Sequence, residues 1–163
     1  MLPVRPSPSQ LSHLRPHGGV RMVAVTEKPS TRRVAGARAL VSIPAGVLRR
    51  LRLGGGRKGE VLEVARIAGI AAAKQTWQLI PLCHPLPLSG IEMEARYVRG
   101  GVELRSEVTA VAATGVEMEA LTAVSVAALT VYDMAKALDH GLHFEVRLEH
   151  KTGGRSGTWR RSP

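Results

Sequence analysis

The chain has 163 residues, of which 44% are apolar, 22% charged and 3% aromatic, the makeup of one globular domain rather than of a disordered polyelectrolyte. A single cysteine, Cys83, excludes an internal disulfide framework and any four-thiolate zinc or iron–sulfur site, and no apolar run approaches the roughly 20 residues that span a bilayer. The net charge of +10 is unevenly spread: residues 1–58 hold twelve Lys/Arg and one acid (+11), whereas residues 59–163 hold eleven and twelve (−1). A basic front half suits a nucleic acid, an anionic membrane surface or a phosphorylated small molecule, or else is a solvated face. So few aromatics are thin for a protein that stacks single-stranded bases.

Residues 1–20 contain Pro3, Pro6, Pro8 and Pro16 and read as a flexible arm. They lack an apolar signal core, and the prolines spoil the amphipathic helix of a transit peptide, so a cytoplasmic location is expected. Val34–Ile43 reads as a strand ended by Pro44, and Ala45–Leu53 as a short helix stopped by Gly54-Gly55-Gly56. Glu60 to about Leu79 has helical spacing. Pro81, Pro85 and Pro87 make the next stretch an ordered loop, because proline suits neither a helix interior nor a central strand. Ile91, Met93, Ala95 and Tyr97 alternate with charged residues as in a half-buried strand, and Arg99-Gly100-Gly101 turns the chain into a second strand over Val102–Val111. Gly115–Leu138 is the longest predicted helix. Leu142, Phe144, Val146 and Leu148 then mark a last strand, and the patterned region closes at Gly157. The order is β-α-β-β-α-β, which predicts an α+β fold: a ferredoxin-like antiparallel sheet with helices packed on one face. The expected division is an arm over 1–20, one ferredoxin-like domain over 21–157 and a short tail over 158–163. A sheet covered on one face only also makes oligomerisation plausible on physical grounds.

Four places carry candidate chemistry. Gly54-x-Gly56-x-x-Gly59 matches the dinucleotide fingerprint but follows a predicted helix rather than a strand; it is better read as a loop presenting Arg57 and Lys58 to an anion, or as a plain interhelical connection. Cys83-His84 sits in the proline-stiffened loop, where His84 is either a rigidly mounted functional imidazole or is bonded to the loop backbone. No second cysteine or spaced histidine completes a metal set, so no metal and no cofactor are expected. Thr114-Gly-Val-Glu117 fits a capping box. Glu119 needs its own explanation, and carboxylates beside a helix N-terminus suit an NH-rich ring such as guanine better than phosphate. Asp133 and Lys136, at i and i+3, are either a surface ion pair or a coupled acid–base pair. Glu119 and Asp133 lie fourteen residues apart, roughly 21 Å along one helix. They cannot flank one small reacting centre within a chain: either they serve different functions or a site is assembled across subunits.

Lys58-Gly59-Glu60-Val61, Ala65-Arg-Ile-Ala-Gly-Ile70, Ala72-Ala-Lys74, Leu79-Ile-Pro-Leu-Cys-His-Pro85, Thr114-Gly-Val-Glu-Met-Glu-Ala-Leu121 and Leu129-Thr-Val-Tyr-Asp-Met-Ala-Lys136 resemble, in this order, the cyclic pyranopterin monophosphate synthase (MoaC) family of molybdenum-cofactor biosynthesis. The resemblance spans about Leu11 to Gly157. It implies a lyase that converts (8S)-3′,8-cyclo-7,8-dihydroguanosine 5′-triphosphate, supplied by a radical GTP cyclase of the same pathway, into cyclic pyranopterin monophosphate and pyrophosphate. It implies a homohexamer, a trimer of dimers, with active sites at the dimer interface. The family's catalytic positions fall on Asp133, Lys136 and Lys58, and its substrate-binding positions on Leu82, Cys83, His84, Glu117, Met118, Glu119 and Lys151. Neither nucleic acid nor membrane is an implied partner. The competing class is a basic ferredoxin-like nucleic-acid-binding module, which lacks here the exposed strand aromatics that such sheets use.

Three positions depart from the family pattern: Ala24 and Ala113 replace a usual Asp and Lys, and Arg155 replaces a usual Lys. Arginine clamps phosphate but cannot lose a proton, so Arg155 suits a clamp and not a base. The principal acid–base positions are all kept, and an active enzyme is expected.

Overall fold

The computed structural model describes residues 11–15, 18–53 and 60–162. In chain order, β1 (Thr31–Ser42) leads through α1 (Ala45–Leu53), α2 (Glu60–Lys74) and the single turn α3 (Thr76–Leu79) to a hairpin of β2 (Leu88–Val98) and β3 (Gly101–Ala112). α4 (Glu117–Ala135), β4 (His143–Thr152) and β5 (Trp159–Arg160) complete it. The strands are ordered β2-β3-β1-β4-β5, and every neighbouring pair is antiparallel. β1 and β2 are therefore parallel to each other with β3 between them, and β3 and β4 likewise flank β1. This interleaving of two β-α-β units is the predicted ferredoxin-like α+β arrangement. It also extends the sheet past Gly157, through the pairing of Lys151 with Trp159 and His150 with Arg160.

Alternation along the strands decides which face the helices cover. On β1, Ala35, Ala37, Ala39 and Val41 are buried, as are Val102, Leu104, Val108 and Ala110 on β3. α4 answers with Ala120, Ala123, Val124, Ala127, Ala128 and Val131, all fully buried. Each buried valine contributes about 1.5–3 kcal/mol, and the many alanines let the helix lie close to the sheet. α2 crosses α4 closely enough that a Cβ on Gly69 would stand 3.0 Å from the Ala123 carbonyl oxygen. α4 has the length and composition of a membrane span, but its apolar side is used against the sheet.

The other sheet face is charged rather than apolar. Glu103 of β3 is only 3% exposed and takes three arginines: Arg38 at 2.6 Å, Arg96 Nε at 2.6 Å and Arg105 Nε at 3.1 Å. Burial alone would raise the Glu103 carboxyl, but hydrogen bonds from Arg105 and Arg96 and the Arg38 charge hold it below its ordinary value. Tyr97 and Phe144 pack toward the helix-side core instead, so this face presents no base-stacking platform among the described residues.

Two helices end differently from the sequence pattern. The predicted helix from Glu60 to Leu79 breaks at Gln75, because the buried Thr76 hydroxyl donates to the carbonyls of Ala72 (3.3 Å) and Ala73 (3.0 Å) and competes with the backbone ladder. The predicted Gly115–Leu138 helix is shortened to Glu117–Ala135.

Candidate active site

The N-terminal end of α4, the proline loop and the segment before β1 meet at one end of the sheet. Prolines 81, 85 and 87 stiffen the loop, and a turn in which the Cys83 amide donates to the Ile80 carbonyl (3.0 Å) aims residues 82–84 at α4. Leu82, Cys83 and His84 then line a cavity of about 270 Å³ together with Met118 and Glu119. Five of the predicted substrate-binding residues are thus brought together. His84 makes no side-chain hydrogen bond to the described residues, so its imidazole is not tied to the loop as a structural histidine would be.

The expected capping box does not form. Val116, not Thr114, is the N-cap residue, and it makes no side-chain cap; the Thr114 hydroxyl reaches only the Gly115 carbonyl, at 3.5 Å. The physical reason is register: Glu117 is itself the first helical residue, so Thr114 lies two positions too early to cap. Freed from capping, the Glu117 carboxylate folds against Gly115, and Glu117 does not line the cavity.

Glu119 turns inward and is 4% exposed. Burial pushes its carboxyl up to about 7; a hydrogen bond from its own backbone opposes the rise, and the Glu117 charge adds to it. Burial likewise raises the Cys83 thiol, and the Glu119 charge raises it further. Cys83 is held as a neutral thiol, which removes it from nucleophilic chemistry at neutral pH.

A second cavity, of about 900 Å³, adjoins the first. Among the described residues it is lined by Lys28, Arg33 and Arg155 and by no carboxylate. Arg33 is fixed from β1 by donating Nε to the Ala112 carbonyl (3.1 Å) and Nη2 to the Ala113 carbonyl (3.3 Å). Ala113, where a family lysine is usual, therefore contributes a carbonyl to the arginine. The Lys151 ammonium donates to the Ser156 hydroxyl on the rim of this cavity. The two cavities have Lys28, Thr114 and Gly115 in common.

Sequence patterning missed the contribution of the N-terminal segment. Ser12, His13, Val23 and Val25 line the first cavity. An antiparallel bridge pairs Leu14 with Val20. His13 Nδ1 lies 3.1 Å from the Arg21 carbonyl, to which it must donate, since a carbonyl only accepts. The one available signal was the basic, acid-poor composition of the front half.

Asp133 and Lys136 lie at the opposite end of α4 and in the open. Their side chains are 70% and 50% exposed and form an ion pair at 2.6 Å. The hydrogen bond to Asp133 and its charge raise the Lys136 ammonium above its ordinary value, away from the neutrality that proton transfer favours. Among the described residues of the single chain, nothing joins them to the cavities. Lys58, with the rest of residues 54–59, lies outside the described residues. No three His, Cys, Asp or Glu side chains among the described residues gather as a metal site.

The cavity walls depend on Gly154, whose φ is +73° and whose missing Cβ leaves room for the Arg33 guanidinium. Gly154→Ala is expected to lose about 1–2 kcal/mol in denaturant unfolding and to weaken calorimetric binding of inorganic pyrophosphate. Gly154→Asn, which tolerates the left-handed backbone but still displaces Arg33, should recover stability without recovering pyrophosphate affinity. Equal recovery of both would mean that the backbone conformation alone matters.

Fold and site together define an α+β enzyme domain whose cleft sets a buried carboxylate beside a group of cations. The MoaC family model matches residues 22–154. Cyclic pyranopterin monophosphate synthase of Thermomicrobium roseum is 55% identical over 156 residues, 94% of each chain. The Novosphingobium aromaticivorans enzyme of that name is 51% identical over 93% of this chain and 98% of its own. Cyclic pyranopterin monophosphate synthase 1 of Mycobacterium tuberculosis is 51% identical over 93% and 91%. The chain belongs to the MoaC family, and it is an enzyme of the lyase class in molybdenum-cofactor biosynthesis.

Proposed function

We propose that the protein converts (8S)-3′,8-cyclo-7,8-dihydroguanosine 5′-triphosphate into cyclic pyranopterin monophosphate and pyrophosphate. The observation that carries this reading is the adjoining pair of cavities, one built around a buried carboxylate and the other around cations alone. A guanine-derived ring offers N–H donors to Glu119 and polar atoms to the His84 imidazole. A triphosphate suits Arg33 and Arg155, with Lys151 at the rim, because guanidinium forks match phosphate oxygens. Ring opening and reclosure need proton transfers, and the proposed carriers are Asp133 and Lys136, with Lys58 as a further catalytic cation.

In this reading the complete site takes Glu119 and the cavities from one protomer and Asp133 and Lys136 from a neighbour, within a homohexamer built as a trimer of dimers. The support is the separation along α4, roughly 21 Å for fourteen residues, together with the open setting of the Asp133–Lys136 pair. Covering that pair with a second copy would desolvate it and bring both groups toward neutrality. The enzyme works in the cytoplasm, downstream of the radical GTP cyclase that makes its substrate.

The test supplies the purified protein with GTP and that cyclase, and follows pyrophosphate release and oxidised-pterin fluorescence together. Both signals should rise only when this protein is present. Accumulation of the cyclised triphosphate with neither signal would overturn the reading.

A further inference from the structure

We propose that Lys28 is a catalytic residue that holds the α-phosphate, the phosphorus centre at which the cyclic phosphate is made. This rests on the reaction proposed above. A turn in which the Lys28 amide donates to the Val25 carbonyl (2.9 Å) sets Lys28 between two parts of one short segment. Val23 and Val25, before it, line the carboxylate cavity; Pro29, Thr31 and Arg33, after it, line the cationic one. Of the three described residues common to both cavities, Thr114 and Gly115 are neutral, so among the described residues Lys28 is the one charge at the junction. It forms no ion pair with the described residues.

The covalent order of the substrate gives that junction a chemical meaning. One bridging oxygen separates the α-phosphorus from the nucleoside carbon, and another separates it from the pyrophosphate. A ligand with its ring at Glu119 and its terminal phosphates at Arg33 and Arg155 must place the α-phosphate where the cavities meet. There a sugar-derived hydroxyl oxygen forms a bond to the α-phosphorus, and the bond to the bridging α,β-oxygen breaks. The electron pair of that bond leaves with pyrophosphate, and the hydroxyl proton passes to a general base. Negative charge shifts among the α-phosphate oxygens during this displacement. A compact ammonium on a flexible stem can follow them, where a planar guanidinium suits the terminal phosphates.

Lys28→Gln should slow pyrophosphate release about 10²–10³-fold, the loss typical of one transition-state donor. Lys28→Arg should keep activity within about tenfold of wild type because the charge remains. Two binding readouts, one that should change and one that should not, separate this role from a purely structural one. Wild type should bind guanosine 5′-monophosphate at least about tenfold tighter than guanosine, and Lys28→Gln should erase that preference. Inorganic pyrophosphate should bind Lys28→Gln within about twofold of wild type, whereas Arg155→Gln weakens it. Unchanged turnover in Lys28→Gln would overturn the inference, as would no monophosphate preference in wild type. Loss of pyrophosphate affinity equal to that of Arg155→Gln would also overturn it, by moving Lys28 to the leaving-group end. If wild-type protein released no pyrophosphate, the reaction itself would fall, while the binding comparison would still show whether Lys28 reads the first phosphate.

Discussion

Asp133→Asn is expected to reduce pyrophosphate release about 10²–10⁴-fold, the range that one general acid–base group contributes, while the thermal midpoint moves by no more than about 2 °C. The contrast follows from where the side chain sits. In the single chain Asp133 is 70% exposed and pairs with Lys136, and asparagine has nearly the same shape and keeps an oxygen that accepts from the Lys136 ammonium, so the substitution opens no cavity and leaves the ammonium a partner. A role confined to surface charge would leave turnover near wild type. The same variant tests whether the site is shared. Mixed with Glu119→Gln subunits under demonstrated exchange, it should regain up to about a quarter of wild-type activity, because some interfaces then combine an intact Glu119 with an intact Asp133. No recovery despite exchange would mean that the two residues do not work together across chains.

Glu119→Gln is expected to stabilise the protein at alkaline pH and to disable it. The Glu119 carboxyl titrates near 7 when folded, against an ordinary value of 4.5, so the folded state binds more protons than the unfolded state across that interval. Stability therefore falls as pH rises from about 4.5 through 7 and stays low above it, by about 3 kcal/mol in total. Glutamine keeps the shape and cannot ionise. Denaturant midpoints of wild type and variant should nearly coincide at pH 4.5 and separate by pH 8, with the variant the more stable. A difference that is the same at both pH values would show that the substitution acts through packing rather than charge. Turnover should fall most clearly at pH 8, where the wild-type group is ionised, since a neutral amide presents one acceptor where the carboxylate presents two oxygens. A buried group that costs stability at working pH is the pattern expected where a protein keeps a charge for binding rather than for folding.

Local order was readable because it is written in neighbouring residues. Ile91, Met93, Ala95 and Tyr97 alternate with Glu92, Glu94 and Arg96, and the structure buries the first set against the helices. The proline loop was recognisable as a loop because proline has no amide to donate. Grouping Leu82, Cys83 and His84 with Met118 and Glu119 came from the family resemblance, since no periodicity links positions 35 residues apart. The errors fell where a local rule competes with a contact. Thr114 and Glu117 have capping-box spacing, but the helix begins at Glu117. Thr76 looks compatible with a helix until its hydroxyl finds the carbonyls of the preceding turn.

The β-α-β-β-α-β order, the sheet face that takes the helices and, through motifs shared with relatives, the family were legible in the chain alone, whereas the separate turn of α3 and the edge strand β5 were not. Periodicity reports burial on one side of an element, and motif order survives without coordinates. Tertiary structure alone decided that Glu119 is buried and Asp133 is not, though both lie on one helix. It also joined Arg33 to the carbonyl of Ala112, 79 positions away, drew Lys28 and His13 from the basic front half into the cleft, and left the sheet's open face to the arginines around Glu103. Each of these outcomes depends on desolvation or on a partner distant in sequence, quantities that a linear pattern does not contain.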